Sequence, residues 1–275
     1  MIQDIYPHQF SNKFINSAEI KGNDYVFHFK ESNLLLKQTG SEFEIPCLKD
    51  LNGAKPKNIF LFTLNNINCF LIWDCPPLDG PIFNYQEINF FRTIPQKEIA
   101  WASIVAIQLK NWYEQNRFCG KCGTKTIVKE DERAITCNDC HTTVYPKISP
   151  AIIVAILCKN KILLASGVNF RSNFYSLVAG YADIGESLED TVAREVKEEV
   201  GLDVRNIRYY KSQPWPFSGS MMIGYIAEAD DTQPVRIDPK EISDAAWFTR
   251  DNLPNYPTTI SIAGEMIGKF KKGEL

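Results

Sequence analysis

Gly180-Tyr181-Ala182-Asp183-Ile184-Gly185-Glu186, followed after seven residues by Arg194-Glu195-Val196-Lys197-Glu198-Glu199-Val200-Gly201-Leu202, decides how this chain folds. The apolar residues Leu188, Val192, Val196 and Val200 recur at every fourth position, the period of a helix with one buried stripe. Gly201 follows directly and supplies a stop. Glu195 and Glu199 leave that helix on one face, and Glu198 lies one position round the turn. At ~100° per residue, Glu195 sits only ~60° from Val192. The acids therefore flank the buried stripe and look into a cleft rather than into open solvent.

Helix physics alone does not favour acids there. Glu198 and Glu199 occupy the last turn, at the negative end of the helix dipole. Each costs on the order of 0.3–1 kcal/mol in that position, and the like-charged pair Glu195/Glu199 adds ~0.2–0.5 kcal/mol. Arg194 and Lys197 offset part of this. A stable domain carries a penalty of that size, so two readings stay open. One is a solvated acidic helix edge. The other is a site for a hard divalent cation, which takes oxygen ligands and brings substrate phosphates with it.

The chain has 275 residues, enough for two or three small domains with real cores. Its formal net charge of −3 argues against a nonspecific nucleic-acid binder, which carries a basic surplus. No apolar run reaches the ~18 residues of a membrane span. The N-terminal MIQDIYPHQF lacks the basic region and apolar core of a secretory signal. The expectation is a cytoplasmic protein with no membrane partner. No internal repeat or low-complexity tract is visible.

Of the eight cysteines, Cys119 and Cys122 form one CxxC pair and Cys137 and Cys140 another, with 14 residues between the pairs. Two such knuckles can close a tetrahedral zinc site with four thiolates, structural rather than catalytic because no ligand position is left open. The alternatives are disulfides, disfavoured in a cytosolic chain, and a redox motif, which needs one CxxC and not two. Cys47, Cys69, Cys75 and Cys158 are scattered and carry no expected role, Cys158 being read as core. The three histidines give no clear signal.

Working outward, residues 1–95 read as an N-terminal α/β or mostly β domain, with strands expected at 24–29, 33–36, 59–64 and 69–73 and a loop at Cys75–Pro81. Residues 96–116 read as a linking helix, apolar nearly all round and so buried between domains. The ribbon is expected at 117–146 and the last domain at 147–275. There, strands are expected at 151–158, 161–166, 175–180, 207–211, 221–227 and 245–248, with a helix at 259–270. Periodicity alone supports only an α/β class.

The quoted stretch reads G-x5-E-x7-R-E-U-x-E-E-x-G-U with every position filled, U being aliphatic, and so resembles the Nudix box. The resemblance implies an α+β/α/β chain: the Nudix α/β/α mixed-sheet fold with a four-cysteine zinc ribbon and an N-terminal α/β domain. It implies hydrolysis of a nucleoside diphosphate linked to another group, with Mg²⁺ or Mn²⁺ held by Glu195 and Glu199 and with the Ala179 carbonyl nearby. Glu198 becomes a further ligand or a base. Glu186 is expected to fix the loop and helix.

Downstream, Ser212-Gln213-Pro214-Trp215-Pro216-Phe217-Ser218-Gly219-Ser220 reads by itself as a proline-stiffened loop with two aromatics. Such a loop can also stack a flat ring on Trp215 and Phe217, with Gln213 and the serines on its edges. It is similar to the SQPWPFPxS motif of NADH pyrophosphatases within the Nudix family. Ser218 stands where that motif has proline, which is expected to loosen the loop. The subfamily implies hydrolysis of NAD(H) to NMN(H) and AMP, removal of NAD caps from RNA 5′ ends in bacterial members, and a homodimer. Carried over by position, Glu241 of Asp238-Pro239-Lys240-Glu241 is a metal ligand, and Tyr145, Tyr181 and Ala263 contact the nucleotide. Glu132 and Arg92 are further carry-overs. The alternatives are a Nudix hydrolase of ADP-ribose or another nucleoside diphosphate derivative, and, from a different class, a zinc-ribbon RNA-binding protein with an inactive Nudix domain.

Overall fold

The computed structural model describes every residue except Asn52, Pro77 and Asp79. The chain divides into two compact units, Gln3–Lys147 and Met1–Ile2 with Ile148–Leu275. Of the expected loop at Cys75–Pro81, Pro77 and Asp79 lie outside the described residues.

The first unit contains β1 (Phe10–Ser11), β2 (Tyr25–Lys30), β3 (Asn33–Thr39), β4 (Glu42–Glu44), β5 (Lys57–Leu64), β6 (Ile67–Trp73), β7 (Phe83–Gln86), helix α1 (Lys97–Gln115), and the short ribbon strands β8 (Ile127–Val128), β9 (Ile135–Thr136) and β10 (Thr143–Val144). The larger sheet runs β1-β5-β6-β2-β3-β4, with β7 also on β3. Helix α1 packs on β5 and on the 3-10 turn Ile88–Arg92. Its nearly all-round apolar surface includes one buried cation. The Lys110 ammonium donates to the Glu31 carbonyl (3.0 Å), pairs with Glu114 (2.8 Å) and lies over the Phe29 ring.

The second unit contains β11 (Ser149–Cys158), β12 (Lys161–Gly167), β13 (Val178–Tyr181), α2 (Leu188–Val200), β14 (Arg205–Trp215), β15 (Ser220–Glu228), β16 (Ile242–Thr249) and α3 (Ile262–Lys272). Its sheet runs β14-β15-β11-β12-β16, with β13 also on β11. The β11–β15 pair is parallel, while the other pairs are antiparallel. One face packs Ile152, Val154 and Ile156 against Val192, Val196 and Val200 of α2. The other packs Ile153 and Ala155 against Ile262, Met266 and Ile267 of α3. The alternation along β11 thus serves two cores, which explains why its sequence is a continuous apolar run. This is the three-layer mixed-sheet fold that the box implies.

Two features differ from the sequence reading. First, β5-β6-β2-β3-β7 repeats the order and the parallel or antiparallel sense of β14-β15-β11-β12-β16. The repeat is topological, without the sequence repeat that would have announced it. Where α2 sits in the second unit, the described residues of the first hold β4 and the 3-10 turn Leu48–Leu51 and no acidic helix. Second, residues 212–215 are not loop. They complete β14, and Pro214 faces Met221 in the ladder. Proline is tolerated there because β14 is an edge strand, where a missing N–H costs no ladder bond.

Candidate active site

Helix α2 starts where Ser187 accepts the Asp190 N–H (3.1 Å) and stops at Gly201, which is left-handed at φ 75°. Val192, Val196 and Val200 are fully buried, which turns Glu195 and Glu199 to the edge of the core. Both are buried, while Glu198 is exposed. These three line a cleft of about 820 Å³ together with Ala179, Gly180, Tyr181, Arg194, Trp215, Ser218, Ser220 and Glu241. Ala151, Met222 and Asp238 complete the wall. Sequence reasoning missed these three; a signal for Met222 was available in the period-2 alternation that puts it on the face of Ser220 along β15.

Arg194 organises the acids. It donates to Glu186 through Nε (2.5 Å) and Nη2 (2.9 Å), to Glu195 (2.8 Å) and Glu198 (2.9 Å) through Nη1, and to the Tyr181 carbonyl (3.0 Å). The guanidinium holds the Glu186 carboxyl down to about 2. Glu186 also accepts the Asp183 N–H and the Thr191 hydroxyl, so it fixes the loop and the helix start and does not line the cleft.

Glu199 is the opposite case. Its carboxylate has no hydrogen-bond or ion-pair partner among the described residues. Burial, followed by the charges of Glu195, Glu241 and Glu198, pushes it up to about 8. Burial also raises Glu195, against the pull of Arg194. A buried carboxylate surrounded by acids and lacking a cation suits a divalent ion with oxygen ligands. The glutamates are not drawn together as tightly as the ribbon thiols: among the described residues only the four cysteines converge to that degree.

Gly180, the first glycine of the box, makes room for Glu195. A Cβ there would lie 1.9 Å from the Glu195 Cδ and 2.1 Å from Oε1. The obstacle is the tip of a flexible side chain, so Gly180→Ala should displace the carboxylate and spare the backbone. We expect unfolding free energy to change by less than about 1 kcal/mol. Divalent-ion affinity should fall about tenfold or more. Mn²⁺ titration followed by electron paramagnetic resonance checks this, and wild-type affinity in the variant would refute it.

The SQPWPFSGS segment places its residues unevenly. Trp215, Ser218 and Ser220 face the cleft, and Trp215 and Phe217 are in tilted contact at 4.8 Å. Pro214, Pro216, Phe217 and Gly219 are not among the lining residues. Gln213 is fully buried. Its amide donates to the Ile260 carbonyl (2.9 Å) and accepts the Ile262 N–H (2.6 Å), so it ties β14 to the start of α3 rather than reaching a ring edge. Ala263 is buried in the core beneath α3, away from the cleft wall. Ser218 does not loosen the turn. Its N–H donates to the Trp215 carbonyl (3.2 Å) and its hydroxyl contacts Ser220 (2.8 Å), two bonds that proline cannot make.

In the other unit, Tyr145 donates to Glu132 (3.2 Å), and Arg92 is exposed with Nε on Asn89 (3.3 Å). The Sγ atoms of Cys119, Cys122, Cys137 and Cys140 lie within 4.8 Å of one another, with 119–140 at 3.5 Å and 122–137 at 3.4 Å. Four thiolates about a zinc at ~2.3 Å would be ~3.8 Å apart, so the set fits the ion. All eight cysteines are free thiols, which removes the disulfide reading. The knuckles are alike. Gly123 N–H donates to the Cys119 carbonyl and His141 N–H to that of Cys137, and both residues are left-handed, at φ 78° and 57°. His141 therefore serves a turn and not a metal.

Family models match in series: a NADH pyrophosphatase-like rudimentary NUDIX domain over residues 23–112, a NADH pyrophosphatase zinc ribbon domain over 114–145 and a NUDIX domain over 147–268. From residue 23 to residue 268 the chain thus carries the domain series of NADH pyrophosphatases, ending in a NUDIX domain. The rudimentary domain is the one whose topology repeats the Nudix sheet without its acidic helix. Among curated relatives, the chain is 43% identical over 161 residues to the NAD-capped RNA hydrolase NudC of Pectobacterium carotovorum, covering 58% of this chain and 62% of that protein. It is 44% identical over 164 residues to the NudC of Vibrio vulnificus, covering 59% and 62%. The chain thus spans less than two thirds of the length of the relatives it matches. Among solved structures, a NUDIX hydrolase from Nitrosomonas europaea superposes with TM-score 0.49 at 22% identity, covering 57% of this chain and 91% of that one.

Proposed function

We propose that the protein hydrolyses the diphosphate of NAD(H) to NMN(H) and AMP and acts likewise on NAD caps at RNA 5′ ends. The observation that carries this is Glu199, a buried carboxylate without a cation, beside Glu195, Glu198 and Glu241 in a cleft that Trp215 walls. The family and the activity named for its relatives support the substrate.

In this reading, Glu195, Glu199 and Glu241, with the Ala179 carbonyl, would hold a divalent ion, Mg²⁺ or Mn²⁺, which would supply polarisation of the phosphoryl oxygens and a lowered pKa for the attacking water. Glu198, exposed and held by Arg194, is a further ligand or takes the proton from that water. Trp215, backed by Phe217, stacks a ring, and Ser218, Ser220 and Tyr181 supply polar contacts at the cleft wall. Gln213 holds β14, which carries Trp215, to the start of α3. The thiols hold a structural zinc, and the working form is a cytoplasmic homodimer. No helix among the described residues is long and apolar enough to cross a membrane.

The test is product analysis after incubation with NADH and Mg²⁺ or Mn²⁺. NMNH and AMP are expected. Cleavage of ADP-ribose but not of NADH or an NAD-capped RNA would overturn the substrate and leave the chemistry standing. Tight, salt-dependent RNA binding without any hydrolysis would overturn the enzyme reading itself.

A further inference from the structure

Asp238 lies on the cleft wall in Asp238-Pro239-Lys240-Glu241, between β15 and β16, without a part in the reading so far. Its backbone N–H donates to the Glu199 carbonyl (3.1 Å), and that of Arg236 donates to the Val200 carbonyl (2.9 Å). Both carbonyls belong to the last turn of α2, which has no N–H of its own to offer them. Gly201 permits the approach, since a Cβ there would lie 2.9 Å from the Arg236 Cβ and 3.1 Å from its carbonyl oxygen. The segment is thus stapled to the end of the acidic helix.

On its other side, Asp238 closes a turn. Its carbonyl accepts the N–H groups of Glu241 (3.2 Å) and Ile242 (2.8 Å), and its Oδ1 accepts the Lys240 N–H (2.9 Å). Pro239 pre-sets φ between them and has no N–H to compete for that oxygen. The same residue therefore holds the backbone of Glu199 and folds the turn that delivers Glu241.

We infer that Asp238 is a positioning residue that sets Glu241 against Glu199 so that both carboxylates face one divalent cation. The inference rests on the proposed reading of this cleft as a metal site. Its side chain acts through the Lys240 N–H, so an acceptor oxygen is required and a negative charge is not. The backbone bond to Glu199 survives any substitution, which leaves the side-chain contribution separable from the fold.

The experiment uses the full chain and Mn²⁺ as probe, read by electron paramagnetic resonance without substrate, followed by kcat at saturating Mn²⁺. Asp238→Ala should weaken Mn²⁺ binding about tenfold or more and lower kcat, whereas Asp238→Asn, which keeps the acceptor, should stay within about twofold of wild type. Asp238→Ser keeps an oxygen acceptor within reach of the Lys240 N–H without the charge, and should bind Mn²⁺ more tightly than Asp238→Ala. The proposal is overturned if Asp238→Asn is as damaging as Asp238→Ala, since charge would then be the requirement. It is equally overturned if Asp238→Ala binds Mn²⁺ as wild type does, or if Asp238→Ser binds it no better than a folded Asp238→Ala. Wild type that binds Mn²⁺ with this mutational pattern yet leaves NADH intact would sink the substrate assignment and keep the positioning role.

Discussion

Replacing Glu199 by glutamine is expected to lower kcat by on the order of 10²–10³-fold or more, while making the metal-free protein more stable. The two effects have one cause. The carboxylate is buried, without a cation, beside Glu195, Glu241 and Glu198, and is pushed from its ordinary 4.5 to about 8. The unfolded chain releases this proton near 4.5 and the folded chain near 8. Between those values the folded state binds more protons, so stability falls as pH rises through the window and stays low above it. Glutamine has no charge to bury. In chelator at pH 8 the variant should therefore unfold at higher denaturant than wild type, by a few kcal/mol at most, and the advantage should vanish towards pH 4.5. Added Mn²⁺ should stabilise wild type far more than the variant. Denaturant unfolding at several pH values, with and without Mn²⁺, measures all of this. Near-normal turnover of Glu199→Gln at saturating metal would remove Glu199 from the ligand set.

The acidic helix was legible because every determinant is local. A four-residue apolar spacing and a glycine stop sit within one short segment, and the burial of Glu195 and Glu199 follows from their angle to the Val192 stripe. The zinc ribbon was legible for the same reason, since each knuckle is a local turn with a ligand at either end. Gln213 was not. A polar residue among aromatics reads as a ligand contact, but its partners are Ile260 and Ile262, 47 and 49 residues away, and only the docking of α3 on the sheet brings them to it. The course of β14 through Pro214 was hidden because proline argues for a loop unless the strand is known to be at an edge. The duplicated sheet was invisible for a further reason. Strand order is set by which apolar faces meet, and many alternations of Val, Ile, Leu and Phe satisfy the same pairing. Arg194 and Asp238 act by joining the loop, helix and turn, and a motif pattern records their positions without recording those bonds.

Cys137→Ser should have the largest structural effect, centred on the ribbon. Cys137 is 1% exposed, its N–H donates to the Thr142 carbonyl, and its own carbonyl receives His141, so ligand and knuckle are one unit. A ribbon whose three strands are two residues each has almost no apolar core. Buried Ala134 and Ile135 do not by themselves repay the ordering of that segment, so the ion supplies most of its folding energy, on the order of 10 kcal/mol in comparable small sites. Three thiols and a hydroxyl make a much weaker zinc site than four thiols. Metal analysis of reduced protein should fall from one zinc per chain to well below one, and protease should cut within 117–146. The damage should spread to one neighbour. Arg133, between β8 and β9, donates to Asn12 and to the Leu61 carbonyl of β5, so loss of the ribbon frees that edge of the N-terminal sheet. Mn²⁺ binding at Glu195 and Glu199 should persist, because the box, its helix and the Asp238 turn are all built within Ile148–Leu275. A variant that keeps a full zinc and resists protease would show that three thiols suffice; wild type that holds no zinc when reduced would remove the ion from the ribbon altogether.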